Sequence, residues 1–322
     1  MRPPRSLYLL AVTTLLVTAS ELCAQSYGIS KGAFFTQSSA LPPPPSTFWI
    51  FSANLYAGAA REVTAATVDT PAGQHLSVSG DRFLFLSSPT YSSSASLDAA
   101  FPSGTYTFRI IAGTLAPASA SVSFPPQSLF PSAVPYFNGD TFDRLASYDA
   151  CQSFSFTWNG FVPQTNSSGY LGSFWINPDS SAPTVFSFPV SSTNSVTVPG
   201  GTLQPNTAYR ATLSFVNHRH AENAGFGNFG SDVSFSYFTT LNFTTLPDRR
   251  VDGLSIRSSQ VELRWFATNN VLYQIQYRST LTTNQWTDLG PPIRGDGTCR
   301  ALVDDIPQGR PQRSYRFVAI LP

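Results

Sequence analysis

The sequence predicts an all-β chain of tandem β-sandwiches behind a cleaved signal peptide, on three observations. Apolar and polar residues alternate in segment after segment, as in "FSFTW" (Phe154, Phe156, Trp158), "VELRW" (Val261, Leu263, Trp265) and "YQIQY" (Tyr273, Ile275, Tyr277). This period of two belongs to strands with one covered face. Beyond the N-terminal apolar run, no segment sustains the 3.6-residue apolar period of a helix. A Pro-x-x-x-Tyr turn leading into an alternating strand occurs three times, at Pro102 and Tyr106, Pro205 and Tyr209, and Pro311 and Tyr315. About one hundred residues separate successive tyrosines, the size of one sandwich domain.

Taken in order, Arg2 and Arg5 precede the apolar run from Leu7 to Val17 and the small-residue stretch "TASELCAQ". That is the three-part plan of a secretory signal, with cleavage expected after Ala24. The run is too short for the roughly 20 residues of a spanning helix, so residues 1–24 are expected to be removed and no membrane span to remain. Leu22 stands before Cys23 where a lipid-modified N-terminus has a small residue, which argues against lipidation. The chain is therefore expected outside the cytoplasm, secreted or at the cell surface.

Three sandwich units follow, at 25–127, 128–246 and 247–322. In the first, "LPPPPS" leads into the strand-like "TFWIFSANLYA". The proline-rich "FPPQSLFPSAVP" reads as the joint to the second unit, and "LPDRR" as the joint to the third. Trp158 and Trp265 each precede a repeat tyrosine by about fifty residues and read as core tryptophans packed across from the tyrosine's strand. Tyr106, Tyr209 and Tyr315 read as tyrosine corners, each hydroxyl bonding back to nearby backbone. Cys151 and Cys299 fall in different units and are expected as two unpaired thiols, with apolar burial holding the fold.

With "LRWFATNNVLYQIQYRSTLTTNQWTDLG" and "YRFVAIL" in view, the last unit resembles the fibronectin type III and immunoglobulin-like modules of large exported bacterial proteins. Trp265, Tyr273, Tyr277, Trp286 and Tyr315 carry the likeness, which covers roughly the final quarter of the chain and is informative for fold far more than for function. The middle unit, from "SFTWNGF" to "FTTLNFTT", is similar to exported proteins of the same kind, for which a sandwich is implied and no activity. In the first unit the likeness rests on "FPSGTYTF" alone.

Composition narrows the function. Charged residues make up 11% of the chain, against roughly 25% in average soluble domains, and without residues 1–24 acids and bases are equal in number. Nothing supplies the basic footprint a nucleic-acid partner requires. The stretch "FVNHRHAENAGFGNFGSD" concentrates the candidate residues: His218 and His220 two apart, with Glu222, Asn223, Phe226 and Phe229 beyond them. If the strand that opens at Tyr209 turns Tyr209, Ala211, Leu213 and Phe215 inward, Arg210, Thr212, Ser214 and Val216 face out and the two histidines continue the outward row. His218, His220 and Glu222 could ligate a metal there, but the remaining histidine, His75, lies in another unit, and no metal is assigned. The glycines at 225, 227 and 230 spell a dinucleotide fingerprint but lead into an alternating strand where the mechanism needs a helix. They read as a tight, irregular loop, and no cofactor is expected. "GISKG" matches a nucleophile elbow by letters, without the strand before and helix after Ser30 that an elbow requires. Asp140, Asp143, Asp149, Asp304 and Asp305 sit where turns and strand ends favour Asp for backbone bonding. No catalytic residue is assigned.

The expectation is a non-catalytic surface or matrix-associated protein, with adhesion or polysaccharide binding carried by the 218–229 stretch and a polysaccharide or another surface protein as partner. A secreted hydrolase with a metal or carboxylate site is the alternative of a different class, and a purely structural spacer the third.

Overall fold

The computed structural model describes residues 26–58, 61–80, 83–161, 172–179, 183–190, 193–225, 229–246, 253–257, 260–280, 285–306 and 313–320; the expected signal at 1–24 lies outside them. The fold is all-β. In chain order the elements are β1 (Ser26–Thr36), β2 (Trp49–Tyr56), β3 (Ala65–Asp69), β4 (His75–Val78), β5 (Phe83–Ser87), helix α1 (Ser94–Ala100), β6 (Gly104–Ala112), β7 (Ala118–Phe124), helix α2 (Gly139–Leu145) and β8 (Phe154–Thr157). There follow β9 (Gly172–Pro178), β10 (Phe186–Val190), β11 (Ser195–Val198), β12 (Ala208–Gly225), β13 (Phe229–Thr244) and β14 (Gly253–Arg257). The last are β15 (Gln260–Ala267), β16 (Leu272–Arg278), β17 (Thr287–Asp288), β18 (Ile293–Arg294), β19 (Thr298–Asp305) and β20 (Ser314–Ile320).

The chain divides into two compact units. One takes residues up to 140, 157–195 and 210–242; the other takes 141–156, 196–209 and 243–322. This differs from three consecutive units, because strand pairing ignores the proline-rich stretch at 124–135. A seven-stranded sheet in the order β10-β9-β12-β13-β1-β2-β5 draws strands from both sides of it. Its centre is the parallel pair of β1 with β13, in register from Ser26 opposite Gly230 to Thr36 opposite Thr240. On its other edge β1 pairs antiparallel with β2.

In this first unit the seven-stranded sheet shares a core with an antiparallel sheet in the order β4-β3-β6-β7. Tyr27, Ile29, Phe51 and Leu55 from one sheet and Val68, Tyr106, Phe108 and Phe124 from the other are buried together. Tyr27 meets Phe108 edge-on at 5.3 Å, and Phe51 stacks on Phe101 at 4.1 Å. Each such side chain, fully covered, stabilises the fold by roughly 1.5–3 kcal/mol. The alternation in β6 places Tyr106, Phe108 and Ile110 inward and Thr105, Thr107, Arg109 and Ile111 on the outer face. Helix α1 is closed at its N-terminus by a Ser93–Ser96 capping box and contributes Leu97 to the same core.

Strand β12 corrects the inward–outward reading. Thr212, Ser214 and Val216 are buried along with Ala211, Leu213 and Phe215. The strand lies inside the seven-stranded sheet and is covered on both faces. Ser214 Oγ accepts the Ser173 N–H at 2.9 Å, which satisfies polar groups that would otherwise be stranded. Buried Gln37 clamps Phe137: its Oε1 accepts the Phe137 N–H and its Nε2 donates to the Phe137 carbonyl, both at 2.8 Å. Trp158 is buried in this unit, stacked near Phe174.

In the second unit, sheets ordered β14-β15-β19 and β17-β16-β18, with β20 on β16, enclose Val261, Leu263, Trp265, Tyr273 and Ile275. Tyr148, Phe154, Phe156, Tyr209 and Phe243 form an aromatic cluster in the same unit. Cys151 and Cys299 are joined by a disulfide, where unpaired thiols were expected. The two cysteines lie in one unit, since residues 141–156 belong to the same compact unit as β19, and their Cα atoms stand 5.4 Å apart.

The tyrosine hydroxyls have three kinds of partner. Tyr106 donates to the Pro102 carbonyl at 2.9 Å, and Tyr209 accepts the Gln204 N–H at 2.8 Å. Tyr315 instead donates to the Asp304 carboxylate at 2.7 Å. A further tyrosine of the Tyr209 kind, not foreseen, is Tyr273, which accepts the Thr268 N–H at 3.0 Å.

Candidate functional site

The stretch expected to bind ligand lies along β12 and β13. Strand β12 runs through His218, His220, Glu222 and Asn223 to Gly225, and β13 begins at Phe229; residues 226–228, the middle of the expected irregular loop, lie outside the described residues. His218 is the candidate described in full. Its side chain is 16% exposed, and Nδ1 lies 3.4 Å from Asp232 Oδ1. The side chains of His220, Glu222, Asn223 and Phe229, and Phe226 as a whole, lie outside the described residues, and with them the metal set of His218, His220 and Glu222.

The letter motifs acquire packing explanations. In "GISKG" Ser30 sits inside β1, its Oγ 2.5 Å from Ser52 Oγ, with no turn at which a nucleophile could be presented. A Cβ on Gly28 would meet the Asp232 carbonyl oxygen at 2.7 Å, and one on Gly32 the Phe238 ring at 3.2 Å, so the two glycines let β1 lie against its neighbours. Among the carboxylates, Asp149 accepts the Cys151 N–H at 2.8 Å, and Asp305 accepts from Gln260 at 2.9 Å. Asp140 and Asp143 lie on α2.

Asp304 is the buried one. It pairs with Arg313, whose guanidinium lies 4.2 Å over the Tyr277 ring, and accepts the Tyr315 hydroxyl. Burial, then the Asp304 bond, raises the Tyr315 hydroxyl above the ordinary tyrosine range. The arrangement is an internal ion pair that ties β19 to the residue preceding β20.

Exposed polar side chains converge elsewhere, on the outer face of β4-β3-β6-β7. Asp69 ends β3 and His75 begins β4 across the turn between them, in register. Asp69 Oδ1 lies 2.6 Å from His75 Nδ1, and its Oδ2 accepts from Arg109 Nε at 2.6 Å. The Arg109 hydrogen bond, followed by that of His75, holds the Asp69 carboxyl below its usual range. Next to this triplet run paired hydroxyls, Thr107 with Ser121 and Thr105 with Ser123, each pair 3.0 Å apart. The turn residues "TPAGQ" could have signalled the Asp69–His75 hairpin; nothing local in the sequence says that β6 and Arg109 lie beside β3.

Among the described residues no helix is long and apolar enough to cross a membrane. The sequence matches no protein-family model and no curated protein. Among solved structures it is similar, over 84% of its own length and 88% of theirs, to the chicken CNTN1 FN1–FN3 domains, at 12% identity and a TM-score of 0.21. The all-β architecture rests on the strands and sheets of this chain itself.

Proposed function

We propose that this protein is an exported, non-catalytic binding protein that takes a neutral polysaccharide on the outer face of β4-β3-β6-β7. The observation that carries the reading is the composition of that face: two rows of paired hydroxyls beside a carboxylate fixed between Arg109 and His75. Serine and threonine hydroxyls donate and accept, as sugar hydroxyls do, and a carboxylate held in place by two partners presents its remaining lone pairs in a set direction. The low charge of the chain suits an uncharged ligand better than a polyelectrolyte. The Cys151–Cys299 disulfide supports export, since such bonds persist in oxidising compartments.

The test is retention of residues 25–322 on a panel of insoluble neutral and acidic polysaccharides. Asp69→Ala/Arg109→Ala and His218→Ala/His220→Ala variants are run beside the wild type. The expected result is wild-type retention on a neutral glycan that the first variant loses by about tenfold or more, a difference of roughly 1.4 kcal/mol. Loss confined to the histidine variant would move the site to the β12–β13 hairpin. Retention on no member of the panel would leave a protein partner or a spacer role in place of the glycan.

A further inference from the structure

The sequence contains a single lysine, Lys31, while every other one of its 19 cationic residues is arginine. That lysine is not at the surface. It sits in the middle of β1 on the same face as Tyr27 and Ile29, its side chain 3% exposed. Its Nζ passes 4.9 Å from the centre of the Phe124 ring and ends 2.5 Å from Asp98 Oδ1 on α1. Phe51, Phe101 and Tyr106 belong to the same core.

As an ion pair this is a poor use of a buried cation. An ammonium has three protons to donate, and among the described residues Lys31 has one acceptor, Asp98. Arginine would have held a carboxylate with two parallel bonds and is what the chain uses wherever else it places a positive charge. What lysine offers and arginine does not is an amine that can give up its proton and act as a nucleophile.

We propose that Lys31 and Asp98 condense to an intramolecular amide, a covalent cross-link between β1 and α1. The step balances without a co-reactant. A proton passes from the Nζ ammonium to the Asp98 carboxylate, giving the neutral amine and neutral acid that the condensation requires. The Nζ lone pair adds to Cγ and forms the N–C bond. The C–O bond to one carboxyl oxygen then breaks, and that oxygen leaves as water with the acid proton and one amine proton. Asp98 is 46% exposed, so the water has a path out. Holding amine and carboxyl in contact replaces a bimolecular encounter, with effective molarities of roughly 10⁵–10⁸ M for well-oriented pairs. The product removes the buried ammonium and its unmet donors from the core.

The readout is mass, and it needs no variant that might fail to fold. Purified residues 25–322, reduced and denatured, should weigh one water less than the sequence requires. Cleavage after arginine should release the Lys31 peptide joined to the Asp98 peptide. Lys31→Arg and Asp98→Ala should each restore the full mass. A wild-type chain at full mass, with Lys31 open to an amine-reactive reagent after denaturation, overturns the proposal. So does a linear Asp98 peptide lighter by one water, which would be a succinimide formed with its own backbone. The outcome is independent of whether any glycan binds.

Discussion

Cys151 and Cys299 are bonded to each other across 148 residues of sequence, tying the segment after α2 to strand β19 within one compact unit. In the chain-entropy description a closure of this length stabilises the folded state by about 5 kcal/mol, and measured values often fall below that. The double variant Cys151→Ser/Cys299→Ser should therefore unfold at clearly lower guanidinium concentration, by roughly 2–5 kcal/mol. Thiol titration of denatured, unreduced residues 25–322 should find none. Two titratable thiols would show the pair to be open.

The hydroxyl of Tyr106 is bonded inside the first unit to the Pro102 carbonyl. Tyr106→Phe keeps the ring against Phe51 and Phe124 and removes one hydrogen bond, so a loss of about 1 kcal/mol is expected in denaturant unfolding. Tyr106→Ala empties the ring's place and should lose about 3–5 kcal/mol. Equal effects of the two would mean that the hydroxyl, and not the ring, anchors the turn.

Burial raises the hydroxyls of Tyr27, Tyr106, Tyr148, Tyr237 and Tyr315 above the ordinary value of 10.0. A group whose folded pKa lies above its unfolded one stabilises the native state fully below the unfolded value and loses that contribution as pH climbs toward the folded one. Stability should hold up to about pH 10 and fall above it. Tyrosinate absorbance should rise in two stages, the second coinciding with loss of near-ultraviolet circular dichroism. A single smooth titration of all 12 tyrosines of residues 25–322 would contradict the burial.

Gly28 lies where β1 crosses the Asp232 carbonyl, and a methyl group there would stand 2.7 Å from that oxygen. Gly28→Ala must shift β1 away from β13, at about 1–3 kcal/mol for an overpacked interior site. Hydrogen exchange is the direct check: protection should fall along Ser26–Thr36 and its β13 partners before it falls in β20.

Much of the local architecture could be read from the chain. The alternation in β6, β15 and β16 follows the burial of Tyr106, Phe108, Trp265 and Ile275, because a half-covered strand imposes period two on its own side chains. Pairing between distant segments imposes nothing comparable. β13 reads as an alternating strand while β1, at Ser26–Thr36, does not, and neither carries a mark of the other, so the seven-stranded sheet leaves no trace in the sequence and a proline run stands as the boundary. Thr212 and Ser214 looked like an outer row because hydroxyls are ordinarily wet; in the middle of a sheet, Ser214 finds its partner in Ser173. The same blindness hid Arg109 from Asp69, and Cys151 from Cys299.

The parallel pair of β1 and β13 also sets a clock. The first of these strands begins at Ser26 and its neighbour at Phe229, with some two hundred residues between them, so at a synthesis rate of roughly 5–20 residues per second one side of β1 waits about 10–40 s for its complement. Throughout that interval it presents a bare row of amides and carbonyls next to Phe34 and Phe35, a template that any extended chain could occupy. A nascent polypeptide built this way gains from being kept unfolded until its whole length has arrived.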